Sequence, residues 1–468
     1  SDKVVQQLIK RFDNGLIVDP VLVYELMATT PGFKRVRIMK RAESNKETVY
    51  IYTSGGYRNG LSSMRTTTTV IDSIYHCMET ALVKRGAPLK LCNGILKSAP
   101  RARREAFYEA ALRHALEIER FNVNGWLLGA DDCIIDSSSG RPEARPYDPD
   151  DHVSMSIGFD AKNFRSNADT PEYREFKTKI LRVFRDPGVC EWAMRVLAQL
   201  TFDGDTVFGQ RHTEFVCAKR GSGKTLLFKM TLAMLGQYAG VINYSELTSH
   251  MHSGSTDHNS FAMHIAFKRL IVADEGDENV GTQRARPVCW TRLKAIQGNA
   301  PKKARLAGKN QYKTVETGFV GLIAVLCNPS NMTEQPTDEM VPTLSLLNDE
   351  CLAQFGDVDD PDNYRFLKDE TFLRDSVIQS NRLHMLTLLS EYYDPAFNVM
   401  NDMPVMLKDI RENWHTGSPT AVEEAGDEYV EEVVTASGSQ TETTLNDALV
   451  NAVRNLIVAD EGGVVKRA

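Results

Sequence analysis

Eight residues, Ala218 to Thr225 (AKRGSGKT), constrain this chain more than any other stretch. An apolar run, Phe215, Val216 and Cys217, precedes them and reads as a buried strand. TLLFKMTLAML follows with helical spacing and stops at Gly236. Strand, glycine turn and helix in that order build a cradle for an anion. Gly221 and Gly223 let backbone N–H groups turn inward, and the helix N-terminus adds its dipole. Lys224 would reach the outer phosphates of a nucleotide, and the Thr225 hydroxyl would take one position on Mg²⁺. With Ser222 and Leu226, these residues form the stretch expected to hold ATP. The usual pattern opens with glycine, and this chain has Ala218 there, whose small Cβ the turn is expected to tolerate. The plain alternative is a glycine-rich turn that binds nothing.

A chain of 468 residues is too long for one core, so two or three domains are expected. With 42% hydrophobic and 25% charged residues it belongs with soluble globular proteins rather than disordered ones. No run of 18 apolar residues occurs, so neither a membrane helix nor a membrane partner is expected. The chain opens at Ser1 without a charged-then-apolar leader, which predicts a protein that is not secreted and fits a piece of something longer. Eight cysteines are scattered singly with no C-x-x-C pair, which argues against zinc and disulfides and fits a reducing compartment.

The net charge of −7 does not suggest a partner made of nucleic acid, but its distribution does. Arg284 to Lys313 holds nine Lys or Arg and no Asp or Glu, leaving the remainder at −16. Within it, LKAIQGNAPKKARLAGKNQYK alternates small, turn-forming and cationic residues, which suits a hairpin or loop. Such a piece would present Lys302, Lys303, Arg305, Lys309 and Lys313 to phosphates, with Tyr312 as a stacking face. A solvated basic face is the bland alternative.

In chain order, four segments are expected. Residues 1–165 read as an α+β region, with a helix over Val4–Phe12, strands over Arg35–Met39 and Thr48–Gly60 with a Gly-Gly turn, and helices over Val70–Val83 and Arg101–Ile118. Short strands and turns follow from Phe121 to Ala161. Asp131 and Asp132, or Asp148 to Asp151, are paired carboxylates there, but acidic turns are the commoner origin of such clusters. Residues 166–201 read as a helical collar broken at Pro187-Gly188, and 202–395 as the nucleotide domain. Residues 396–468 read as an acidic linker, with Glu423, Glu424, Asp427, Glu428, Glu431 and Glu432, ending in an amphipathic helix (Leu445, Ala448, Leu449, Ala452, Val453, Leu456). That helix would pack on its own domain or dock on a replication partner.

Two further strands in the nucleotide domain end in polar residues. Leu270 to Ala273 runs into Asp274-Glu275, 50 residues beyond Lys224. Asp274 would hold Mg²⁺ through water, and Glu275 would polarise the attacking water. Val320 to Leu326 runs into Cys327-Asn328-Pro329; Asn328 would sense the γ-phosphate or position the water, or would simply cap the turn before Pro329.

These pieces in this order resemble the superfamily 3 helicases, a viral branch of the AAA+ ATPases. The nearest likeness is to the poxvirus-type helicase–primase proteins of large DNA viruses, phages and plasmids. AKRGSGKT is similar to the family's Walker A, VADE to Walker B, LKAIQGNAPKKARLAGKNQYK to the B-prime motif and AVLCN to motif C. Upstream, NGWLLGADDCIIDSSSGRPEARPYDPDDHVSMSIGFD is similar to the segment before the ATPase. Downstream, Asn363 to Tyr393 looks like the closing helical part, so the likeness spans roughly residues 47 to 393.

The resemblance implies an AAA+ P-loop NTPase core with a parallel sheet, and a homohexameric ring threading single-stranded or forked DNA. A primase or polymerase would be a further partner, and the place of work would be the host cytoplasm, a viral factory or the nucleus. It assigns Lys224, Asp274, Glu275 and Asn328 to catalysis, and Lys294 with Arg305 to the B-prime positions on the DNA path. The family often carries an arginine pair soon after motif C, which serves the neighbouring subunit. This chain has no Arg or Lys from Pro329 to Tyr364, so Arg365, Arg284, Arg286 and Arg292 are the candidates for that cation. Outside the motor class, the alternative is an initiator or assembly ring switched by ATP without unwinding.

Overall fold

A computed structural model describes residues 3–14, 23, 26, 38–43, 46–53, 56–60, 78–79, 82–88, 90–91, 116–117, 122, 124–203, 212–244, 247, 268–274, 288–297, 321–328, 335–372 and 374–416. The chain divides into two units, Ser1–Ile134 with Arg145–Ser156 and Ile135–Ala144 with Ile157–Ala468.

The first unit opens with α1 (Lys3–Asp13), which buries Val5 and Leu8. Its strands β1 (Ile38–Glu43), β2 (Lys46–Thr53), β3 (Gly56–Gly60) and β4 (Leu116–Glu117) form a sheet in the order β3-β2-β1-β4. The first three are antiparallel, with Thr53 of β2 opposite Gly56 of β3, so Thr48–Gly60 is two strands rather than one. A second correction falls on Arg101–Ile118: Leu116 and Glu117 are strand residues in parallel register with Met39 and Lys40, not the end of a helix. Pairing with a strand far away in sequence has overridden the local helical pattern. Residues 101–115 lie outside the described residues.

Three short strands follow, β5 (Leu127–Gly129), β6 (Ile134–Asp136) and β7 (Glu143–Arg145), in the stretch read from sequence as strands and turns. In the first unit Leu127, Ile134 and Val153 pack with Tyr147, whose hydroxyl donates to the Ala130 carbonyl at 2.6 Å. The acidic clusters here are structural. Asp151 takes two bonds from Arg145, at 2.9 and 2.7 Å, and Asp131 accepts from Ser156 at 2.6 Å.

The second unit begins with α2 (Pro171–Leu181) and α3 (Pro187–Phe202). Both carry proline in the first turn and a capping side chain, Thr170 for α2 and Asp186 for α3. The core is a five-stranded parallel sheet of β8 (His212–Cys217), β9 (Ala239–Asn243), β10 (Leu270–Asp274), β11 (Leu322–Cys327) and β12 (Leu344–Leu347), in the order β12-β8-β11-β10-β9. Every residue of β8, β11 and β12 is buried, as expected of parallel strands covered on both faces. Between β8 and β9 runs α4 (Lys224–Leu235), ended by Gly236 at positive φ (+52°). A Cβ on Gly236 would stand 2.4 Å from the Ile157 carbonyl oxygen, so glycine is required there.

Successive residues of β8 face opposite sides. His212 meets Trp192 of α3 edge-on at 6.1 Å. Phe215 meets Trp290 of α5 (Trp290–Gln297) at a tilt at 5.8 Å and Trp414 of the last helix edge-on at 5.2 Å. Beyond β12 come a small parallel ribbon, β13 (Gln354–Gly356) with β14 (Arg365–Leu367), and then α6 (Asp375–Ser380) and α7 (Arg382–Tyr392). The closing part expected to be helical from Asn363 thus opens with a strand. α7 packs on α3 and α4, and α8 (Val405–Thr416) packs on β12. Phe397, Val399, Met403, Leu407 and Ile410 are buried, so the segment directly after 395 is folded. The acidic stretch and terminal helix expected beyond it lie outside the described residues. Among the described residues, no helix is long and apolar enough to cross a membrane.

Candidate functional site

Ligands of open parallel sheets sit outside the carboxyl ends of the strands. At that edge β8 ends in Cys217 opposite Cys327 of β11, and Asp274 closes β10 level with Leu326 of β11. The turn that leaves β8 runs through Ala218 to Gly223. Gly221 and Gly223 both have positive φ, +87° and +79°, the backbone the turn needs and the reason for glycine there. Gly223 is the N-cap of α4, so Lys224, Thr225 and Leu226 occupy its first turn.

The Lys224 ammonium donates to three oxygens, the carbonyls of Ala218 and Cys327 (the latter at 2.8 Å) and Oδ1 of Asn328 at 3.1 Å. Ala218, in place of the first glycine, is buried, and its carbonyl is one of these acceptors. Ser222 is 1% exposed, and its Oγ has no hydrogen-bond partner among the described residues.

The structure therefore brings Lys224 and Asn328 together and sets Asp274 on the neighbouring strand. Glu275 and the basic residues Lys302, Lys303, Arg305, Lys309 and Lys313 lie outside the described residues, as do Arg284 and Arg286. Arg292 is on α5, and Lys294, also on α5, forms an exposed ion pair with Glu339. Arg365 is an exposed residue of β14.

Two contacts on the glycine turn are not legible in the sequence. Asp349, just past β12, accepts the Lys219 N–H at 2.7 Å, and Phe355 of β13 donates its N–H to the Gly221 carbonyl at 2.7 Å. One signal points to Asp349: LSLL followed by Asn-Asp-Glu is another apolar run ending in polar residues, as LIVADE is.

Two titratable groups inside β8 are shifted by burial. Burial pushes the Glu214 carboxyl up to about 8, and burial followed by the nearby Arg411 guanidinium pulls His212 down to about 3. His212 Nε2 lies 3.0 Å from Ser345 Oγ.

No family model matches this chain, and no curated protein matches it. Among solved structures it is similar to the apo structure of the NrS-1 C-terminal region (305–718), at 12% identity and a TM-score of 0.43, over 86% of this chain and 76% of that one. A second structure of that region, in the A form, gives 11% identity and a TM-score of 0.45, over 87% and 77%. These likenesses are low in both score and identity, and the chain's own residues carry the functional reading.

Proposed function

We propose that this protein is an ATP-dependent DNA translocase of the superfamily 3 type, a ring that hydrolyses ATP to move along single-stranded DNA during replication of a virus or mobile element. The observation that carries this reading is the Lys224 ammonium, which joins the glycine turn after β8 to Asn328 at the end of β11. A lysine held among oxygens at the carboxyl edge of a parallel sheet, at the start of a helix, is placed to exchange those oxygens for phosphate oxygens.

The residues present fit ATP and Mg²⁺. The two positive-φ glycines open the turn's backbone, and the buried Ser222 hydroxyl lacks a partner among the described residues. Residues 218–226 would hold the nucleotide, and Thr225 with Asp274 would hold the metal, which supplies positive charge to the phosphates. Lys224 would neutralise the outer phosphates, Asn328 would fix the position of the attacking water, and Glu275 would accept its proton. The basic stretch Leu293–Lys313, inserted between β10 and β11, would carry the DNA strand.

The test is displacement of a labelled strand from a forked duplex by the purified chain with ATP. Unwinding that Lys224→Ala abolishes supports the reading. Tight binding to the fork with ATP turnover but no displacement would favour an ATP-switched assembly ring instead.

A further inference from the structure

The ribbon of β13 and β14 is bonded to the glycine turn of its own chain. Phe355 donates to the Gly221 carbonyl, Asp349 accepts from Lys219, and a Cβ added at Gly221 would stand 2.7 Å from the Phe355 carbonyl oxygen. The parallel register sets Gln354 opposite Arg365, Phe355 opposite Phe366 and Gly356 opposite Leu367. Paired residues share a face and alternate along the strands. Phe355 and Phe366 therefore lie to one side, 5.7 Å apart, with Arg182 stacked 5.5 Å over Phe366. Gln354 and Arg365 share the other face, and the Gln354 Oε1 lies 3.7 Å from the position of a Gly221 Cβ.

Other cations on or near the ribbon are engaged. Arg185 donates to the Asp349 carbonyl at 3.1 Å and stacks 5.6 Å from the Tyr364 ring, and Lys179 pairs with Asp369 at 3.0 Å. The Arg365 guanidinium is exposed and has no side-chain partner among the described residues.

From this juxtaposition we infer that Arg365 serves the nucleotide held by its own subunit, as a cation for the polyphosphate on residues 221–225, and does not reach into a neighbour's site. The inference rests on the proposed function, since it needs a nucleotide on that turn. The chemistry is a guanidinium–phosphate contact, and the cation that completes the site from a neighbouring subunit is then a different residue.

The two arrangements differ at the level of the single chain. ATP binding is measured by fluorescence at dilutions where the full chain sediments as a monomer, for the wild type, Arg365→Ala and Arg365→Lys. A cis contact predicts that Arg365→Ala weakens ATP binding by about ten- to a hundredfold, the weight of one charge-assisted contact, and that Arg365→Lys recovers part of it. The thermal midpoint without nucleotide stays unchanged, because the side chain is exposed. Monomer binding that is equal for the wild type and Arg365→Ala overturns the inference alone. A wild-type chain that binds no ATP overturns the proposed function, and the inference with it. In assemblies, a mixture of Arg365→Ala and Lys224→Ala chains should hydrolyse no faster than the two separately. Recovered hydrolysis in the mixture would mean that Arg365 acts across the interface.

Discussion

Lys224 and Asn328, 104 residues apart, meet at 3.1 Å through the ammonium and the side-chain carbonyl at the carboxyl edge of the sheet. Parallel pairing of β8 with β11, from His212 opposite Leu322 to Cys217 opposite Cys327, delivers both side chains to one point. Asn328 is exposed and its truncation leaves the core untouched, so Asn328→Ala should keep the wild-type thermal midpoint. Its ATP turnover should fall by about 10²–10³, the weight of one fixed polar group at a reacting centre, with ATP affinity little changed. Steady-state kinetics beside a melting curve check both.

Gly221→Ala should destabilise the chain and weaken nucleotide binding together. The new residue bears the left-handed backbone cost of roughly 1–2 kcal/mol, and its Cβ would stand 2.7 Å from the Phe355 carbonyl oxygen. Gly158→Ala is the control, because it shares a positive φ (+78°) but meets nothing within 4 Å. The drop in melting temperature should be larger for Gly221→Ala than for the control.

Stability should fall on both sides of a middle pH, for opposite reasons inside one strand. Glu214 keeps its proton in the folded state up to about 8, while the unfolded carboxyl releases it near 4.5. Between those values the unfolded state binds fewer protons, so stability declines as pH rises, by at most about 1.4 kcal/mol per pH unit. His212 is neutral when folded down to about 3 but titrates near 6.5 when unfolded, so its contribution is lost as pH falls below 6.5. Glu214→Gln should flatten the melting temperature between about pH 6.5 and 8, and the His212 contribution, no longer offset, should make the acid-side fall begin near 6.5 instead of 4.5. An unchanged slope for Glu214→Gln would mean that the carboxyl is ionised in the fold.

Lys302→Ala with Lys303→Ala should weaken single-strand binding and flatten its dependence on salt. Each phosphate that is no longer neutralised lowers the log–log slope by about 0.7. Binding titrations between low and moderate salt give the slope directly, and an unchanged slope would put the DNA path elsewhere.

The strands that position the site are legible in the sequence because burial on both faces makes them plain apolar runs, as in FVC before Ala218, LIVA before Asp274 and LIAVL before Cys327. Gly236 is legible as a helix stop for a local reason too, since glycine tolerates the backbone that ends α4. LSLL, which forms β12, is hard to read as a strand because it is short and lies between turn-rich pieces. Leu116 and Glu117 mislead because a helical pattern says nothing about a distant strand that pairs with it. The clamp on the glycine turn is invisible for a stronger reason. Asp349 bonds Lys219 across 130 residues, and Phe355 reaches Gly221 by a backbone N–H that every residue except proline supplies. The place of Trp414 beside Phe215 and Trp290 likewise depends on how α8 packs back on the sheet.

The central claim is that ATP chemistry at Lys224 is tied to DNA. Steady-state ATP hydrolysis by the full chain, with and without single-stranded DNA and beside Lys224→Ala, tests it most directly. The account predicts hydrolysis that single-stranded DNA stimulates strongly and that the variant loses in both conditions. Hydrolysis of equal rate with and without DNA, or hydrolysis that survives in Lys224→Ala, would contradict it.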